Sequence, residues 1–418
     1  MALDLTAALG RPAYPPGAPQ AVYALLDLSA AAVAGRLPLD LRLVLDASGS
    51  MSSEASPGGR QTKLDLLVQA AEAMIALVEP GDHVTLVSFD DRPKVLFDGP
   101  IRQAQDRDAA RAALGKLRCG GGTMIARALQ GAVQGGWLPD HVARLVLVTD
   151  GETSGDEAAC ERLAFDQRGT AAWLVYGIGV DYNDAFLDRL AQANGGTFVH
   201  LGDMAAARDV FAAEMQVMGA VALTGLVAEI VPAPGVELTR VDRIVPHVLP
   251  VPVQDPRGLS VDLGDLDRVR GQKLLLQLTA PALPAGTHAL AQVRVGYHVP
   301  SRKLLNQQAT LALELVVDPL AAGLPGDAEV LRTVQLAGAG RLYTLGLAEA
   351  AGGNADASVR TLASAAGLYD GLGLAAMGDQ LRTLTSDLAT RGAFDEDAKR
   401  TLTTMARGAG WQPPAGTP

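Results

Sequence analysis

Asp46, Ser48 and Ser50 close the run Leu39-Asp-Leu-Arg-Leu-Val-Leu-Asp-Ala-Ser-Gly-Ser50. One carboxylate and two hydroxyls on alternate residues thus leave the end of a strand together. A second apolar run, Arg144-Leu-Val-Leu-Val-Thr-Asp150, delivers Asp150 in the same way, and the loop Cys119-Gly-Gly-Gly-Thr123 adds the hydroxyl of Thr123. All five groups are oxygen donors, with no thiolate or imidazole among them. Such a set selects a hard divalent cation, Mg2+ first with Mn2+ or Ca2+ as substitutes, and disfavours zinc. Five donors, three of them neutral, leave water in the coordination shell and the ion open to one more carboxylate.

Elements must carry these residues to one place. Between Leu39 and Met218 short apolar runs alternate with segments of helical period, the pattern of a mostly parallel sheet wrapped by helices. Strands are expected at 39–46, 83–90, 144–150, 171–180 and 197–201, with a short antiparallel edge at 95–97. Helices are expected at 63–78, 107–117, 124–134, 156–168, 184–193 and 204–218. Ser154 with Glu157 has capping-box spacing, and Asn183 precedes another helix start. Open α/β sheets place ligands outside the carboxyl ends of their strands, so a cation there would sit at a surface crevice.

Asp46-x-Ser48-x-Ser50, Thr123 and Asp150 resemble the metal ion-dependent adhesion site (MIDAS) of von Willebrand factor type A (VWA) domains, with all five positions present. The stretches Val87-Ser-Phe-Asp-Asp91, Thr149-Asp-Gly151 and Gly177-Ile-Gly-Val-Asp-Tyr-Asn183 are similar to that family too, in the family's order. The likeness covers roughly residues 38–218. It implies a Rossmann-like, doubly wound fold of bacterial cytoplasmic type. It also implies an ion held by the two serines and the threonine or an aspartate, with remaining contacts through water. The implied partner is a protein that offers an Asp or Glu to the open position, and docking is implied to shift the last helix, 204–218.

Beyond Gly219 the pattern changes to alternating, turn-punctuated strands at 221–231, 236–245, 259–263, 273–278, 289–299 and 310–317, which reads as a β-sandwich. In Gln292-Val-Arg-Val-Gly-Tyr-His-Val299 the odd positions are apolar, so one face packs and the other is wet. Ala21–Leu28 has the same character and is expected to join the sandwich, which makes the α/β unit an insertion between two of its strands. An Ala- and Leu-rich stretch then predicts about three or four antiparallel helices, with turns near Gly352-Gly353, Gly371 and Gly392. The expected division is an N-terminal segment 1–37 lending a strand, a VWA domain 38–218, a sandwich 219–318, a helical domain 319–410 and a tail 411–418.

A formal charge of −11 opposes nucleic acid or anionic membrane as partner. Only Cys119 and Cys160 occur, which suits a reducing compartment; no secretion leader or long apolar stretch is evident at residues 1–10 or elsewhere, and a cytoplasmic location is expected. Gly120–Gly122 lacks the Gly-Lys-Ser/Thr of a phosphate loop. No Gly-x-Ser-x-Gly surrounds Ser48 or Ser50, and none of the six histidines shows ligand spacing. Catalytic and nucleotide-binding residues are therefore not expected, and the chain reads as a non-enzyme. Three smaller readings remain: Cys119 as a redox handle, Glu54 as an internal plug, and Asp90 and Asp91 as the rim of the site. The rival functions are an accessory subunit of a chelatase-like or MoxR-like ATPase complex, with the ATPase on another chain, and a metal-dependent hydrolase.

Overall fold

The computed structural model describes the chain apart from residues 1, 31–35, 56–59, 154, 180–182, 195, 202–216, 392–393, 395–398, 400–401, 404, 407–408 and 410–418. The helix expected over 204–218 lies largely outside the described residues, as do Ser154, Gly392 and the tail.

Strands β1 (Leu3–Leu9) and β2 (Gln20–Ala30) lead to β3 (Leu39–Asp46), whose residues are all buried. A strand covered on both faces has no polar side to show, hence its nearly unbroken apolar run. Around it lie β4 (His83–Phe89), β5 (Pro93–Pro100), β6 (Val142–Thr149), β7 (Ala172–Ile178) and β8 (Thr197–Leu201), in the order β5-β4-β3-β6-β7-β8. All pairs are parallel except β4 with β5. Among the described residues, five helices cover the sheet: α1 (Lys63–Leu77), α2 (Ala104–Leu114), α3 (Ile125–Val133), α4 (Glu157–Asp166) and α5 (Asp184–Asn194).

Alternation divides the core in two. Leu41, Leu43, Leu45, Val146 and Tyr176 meet Leu67 and Ile75 of α1 on one face. Val44, Leu145, Leu147 and Trp173 meet Leu129 of α3 and Phe186 of α5 on the other. The charged residues within β3 solve each other's burial at its amino end. Arg42 donates to Asp40 at 2.8 Å, stacks 3.9 Å over the Trp137 ring, and also reaches the carbonyls of Ala132 and Gly136.

Caps set the helix starts, and that of α2 differs from expectation. α2 begins at Ala104 rather than 107 because Asp106 accepts the backbone N–H groups of Arg102 and Gln103, at 2.8 and 3.0 Å. The residue before α4 is Asp156, and Glu157 takes the Thr153 hydroxyl at 2.5 Å; the expected capping partner, Ser154, lies outside the described residues. Asn183 does cap α5, its carbonyl accepting the Phe186 N–H at 3.1 Å.

The sandwich consists of β1-β2-β13-β10-β11 facing β12-β9-β14-β15. The new strands are β9 (Val221–Pro232), β10 (Glu237–Val245), β11 (Leu249–Val251), β12 (Leu259–Asp267), β13 (Gln272–Ala280), β14 (Gly286–Val299) and β15 (Leu304–Val317). β2 pairs with β13, Ala24 opposite Leu276, and the α/β unit is therefore inserted between β2 and β9. In β14 the odd residues Val293, Val295, Tyr297 and Val299 face the shared core. β12 extends four residues beyond expectation, through irregular pairing around Gly264 at φ +72°.

Helices α6 (Ala328–Ala351), α7 (Ala355–Gly371) and α8 (Ala375–Arg391) follow. Val330 and Leu336 of α6 pack on Leu25, Ile244 and Leu275 of the five-stranded sheet, and Arg341 donates to the buried Asp242 at 2.8 Å. Contacts at the amino ends of its parallel strands fasten the α/β unit to the sandwich. Arg144 of β6, buried, donates to Asp265 of β12 at 2.7 Å. Arg36, just before β3, forks onto Asp82 at 2.7 and 2.8 Å, and its guanidinium lies directly against Gly219, just before β9.

Candidate metal centre

β3 and β6 are neighbours running in parallel, but the chain leaves β3 toward β4 on one side and β6 toward β7 on the other. Between such strands no loop crosses over, and a crevice opens at their carboxyl ends. Asp46 ends β3, and Asp150 follows Thr149 at the end of β6. Both are fully buried, and the negative charge of Asp150 acts on Asp46.

The backbone fixes Asp46. Its Oδ1 accepts the Ser48 N–H at 2.8 Å, and its Oδ2 accepts the Thr149 hydroxyl at 2.5 Å. Thr149 Oγ1 in turn accepts the Gly151 N–H at 2.9 Å. Burial pushes the Asp46 carboxyl up to about 6, the bonds from Ser48 and Thr149 opposing and Asp150 adding to the rise. A carboxylate so raised is short of compensating positive charge. Ser48 Oγ and Ser50 Oγ lie 3.1 Å apart on a tight turn over Gly49–Ser52, anchored by the fully buried Met51.

The loop with Thr123 is tied to this turn by backbone alone. Gly120 N–H donates to Ala47 O at 2.9 Å, and Gly49 N–H donates to Gly121 O at 3.2 Å. Asp91 accepts the Gly122 N–H at 3.0 Å, and Asp90 O accepts the Met124 N–H at 3.1 Å, so both acids of the rim brace the loop. Gly121 stands at φ +70°, and a Cβ there would come 2.8 Å from Asp91 Oδ2. Thr123 is 6% exposed. Glu54 is exposed, its backbone bridged to Thr62; Cys119 is half-buried, and burial raises its thiol.

Two residues at this place were not anticipated. Thr149 holds Asp46. Lys63, the first residue of α1, reaches Asp150 Oδ2 at 3.0 Å with a side chain only 6% exposed. A lysine at the positive end of a helix dipole runs against preference, which was the signal available. Among the described residues no three His, Cys, Asp or Glu side chains stand together as ligands. A cation here would therefore depend on hydroxyls as well as Asp46 and Asp150. The under-compensated Asp46 and the paired serine hydroxyls suit a hard divalent ion.

Residues 41–152, which include Asp46, Ser48, Ser50, Thr123 and Asp150, match the family model of the von Willebrand factor type A domain. An uncharacterized protein of Synechocystis sp. is 30% identical over 295 residues, 68% of this chain, and the chain spans 66% of that protein's length. A von Willebrand factor type A protein from Catenulispora acidiphila superposes with a TM-score of 0.75 at 18% identity, over 97% of this chain and 96% of the other. The ArnB paralog VWA2 from Sulfolobus acidocaldarius gives 0.58 at 15% identity, over 99% and 100%. The fold of the whole chain, sandwich and helices included, is thus shared with solved structures. The inserted α/β unit of this chain is therefore a von Willebrand factor type A domain, matched by the family's model over residues 41–152.

Proposed function

We propose that this chain is a cytoplasmic, non-catalytic interaction protein that captures an Asp or Glu of a partner protein through a divalent cation. Asp46, Ser48, Ser50, Thr123 and Asp150 would hold the ion, Mg2+ first, with Mn2+ or Ca2+ in its place. Bound there, the ion supplies a Lewis-acidic position for one more carboxylate. The chain's own part is to fix the donors: Thr149 and the Ser48 N–H orient Asp46, and the Asp90–Asp91 brace sets the Thr123 loop. The observation that carries the reading is the pair of fully buried aspartates at the switch point of the sheet, flanked by facing serine hydroxyls. A side-chain carboxylate is a small contact, so the surrounding surface supplies most of the buried area while the ion supplies direction.

The test is affinity capture from lysate of the native host, with Mg2+ or with EDTA, using wild type and Asp46→Ala. Partner bands that need both the metal and Asp46 are expected, with the circular dichroism of the variant unchanged. Capture that persists in EDTA would remove the proposal. In calorimetric titration Mg2+ should bind wild type and not Asp46→Ala. At a hundredfold excess over Kd, metal should stabilise the wild-type fold by about 2.7 kcal/mol.

A further inference from the structure

Lys63 does not belong to the donor set, yet the structure is built around it. Its ammonium lies 3.0 Å from Asp150 Oδ2, with the side chain 6% exposed and Asp150 fully buried. The stem passes Gly179, at φ +90° just after β7, where an added Cβ would stand 2.7 Å from Lys63 Cε and 3.3 Å from Cδ. The capping box of Thr62 and Asp65 fixes the helix start that carries it. A lysine is thus threaded through a gap only glycine leaves, to the carboxylate proposed to help hold a cation.

We propose that Lys63 is a resident cation that tunes the metal centre: it compensates Asp150 when no metal is bound, weakens metal binding, and keeps the loaded site positive for a partner's carboxylate. This rests on the metal reading above. With both aspartates ionised and Lys63 charged, a divalent ion leaves one net positive charge at the site. Without the lysine the loaded site would be neutral, and an incoming carboxylate would make it negative. In the metal-free protein the lysine spares two buried carboxylates from facing each other uncompensated. A unit charge a few ångströms away, in a medium of effective dielectric near 20, is enough for an affinity change of about tenfold or more.

The experiment titrates MnCl2 into the full chain by isothermal calorimetry, for wild type, Lys63→Met and Lys63→Arg, and records metal-free and Mn2+-saturated melting temperatures. Expected is Mn2+ binding about tenfold tighter in Lys63→Met and near wild type in Lys63→Arg, as the charge requires. The metal-free methionine variant should melt lower than wild type, with the gap closing at saturating Mn2+. Equal or weaker Mn2+ binding by Lys63→Met, with wild type binding normally, overturns the role of Lys63 and leaves the metal reading intact. Absence of Mn2+ binding in both overturns the metal reading and this inference together. Should Lys63→Met fold only with Mn2+, the compensating role is supported; should it not fold at all, Lys63→Gln, which keeps a donor without the charge, takes its place under the same criteria.

Discussion

At the scale of single residues, the site depends on side chains that never touch the proposed ion. Thr149 donates to Asp46 and accepts from Gly151, so its hydroxyl joins the ends of β3 and β6. Thr149→Val keeps the shape and removes both bonds. It should cost about 1–3 kcal/mol in urea denaturation, the usual penalty for stranding buried polar groups, and should weaken Mg2+ binding through a misplaced Asp46. Equal Mg2+ affinity in the two proteins would show that Asp46 is positioned by Ser48 alone. The placement of Asp46, Ser48, Ser50, Thr123 and Asp150 at strand ends and in one glycine loop was legible because each sits in a local pattern. Thr149 and Lys63 were not legible as partners, since their contacts span 103 and 87 residues and no local spacing records them.

At the scale of elements, the loop 119–123 is held by backbone hydrogen bonds and by Asp91, with Cys119 packed against the core at its start. Its conformation requires glycine at 121, where φ is +70° and Asp91 occupies the space a methyl would need. Gly121→Ala should therefore cost about 1 kcal/mol or more in stability and displace Thr123, lowering metal affinity more than a change at the open Gly120. Calorimetric titration of the two variants side by side checks this, and equal affinities would count against the brace. The central strands could be read from the sequence because burial on both faces leaves a run of Leu and Val with no competing pattern. The edges were harder. β1 and β11 carry mixed, half-exposed residues, β12 continues through an irregularity, and the start of α2 follows the Asp106 carboxylate instead of the apolar period.

At the scale of the molecule, the α/β unit is fastened to the sandwich at one end, and the candidate metal centre lies at the other. Arg144 and Asp265 join it to the sandwich at the amino ends of the strands, while Asp46 and Asp150 close the opposite ends. An eight-residue strand such as β3 spans roughly 26 Å, so the joint and the site share no residue. Asp265→Ala strands a buried guanidinium and should destabilise the chain by about 1–3 kcal/mol, with scanning calorimetry showing the α/β unit and sandwich melting less cooperatively. Mg2+ affinity should be unchanged, and a loss would mean that the joint and the crevice are coupled. The abutment of Arg36 and Gly219 adds a different consequence. The chain comes into the α/β unit and departs from it at adjoining points, so the unit is a cassette whose two ends could be spliced by a short linker. Its host needs only a single narrow gap in one loop to accommodate it.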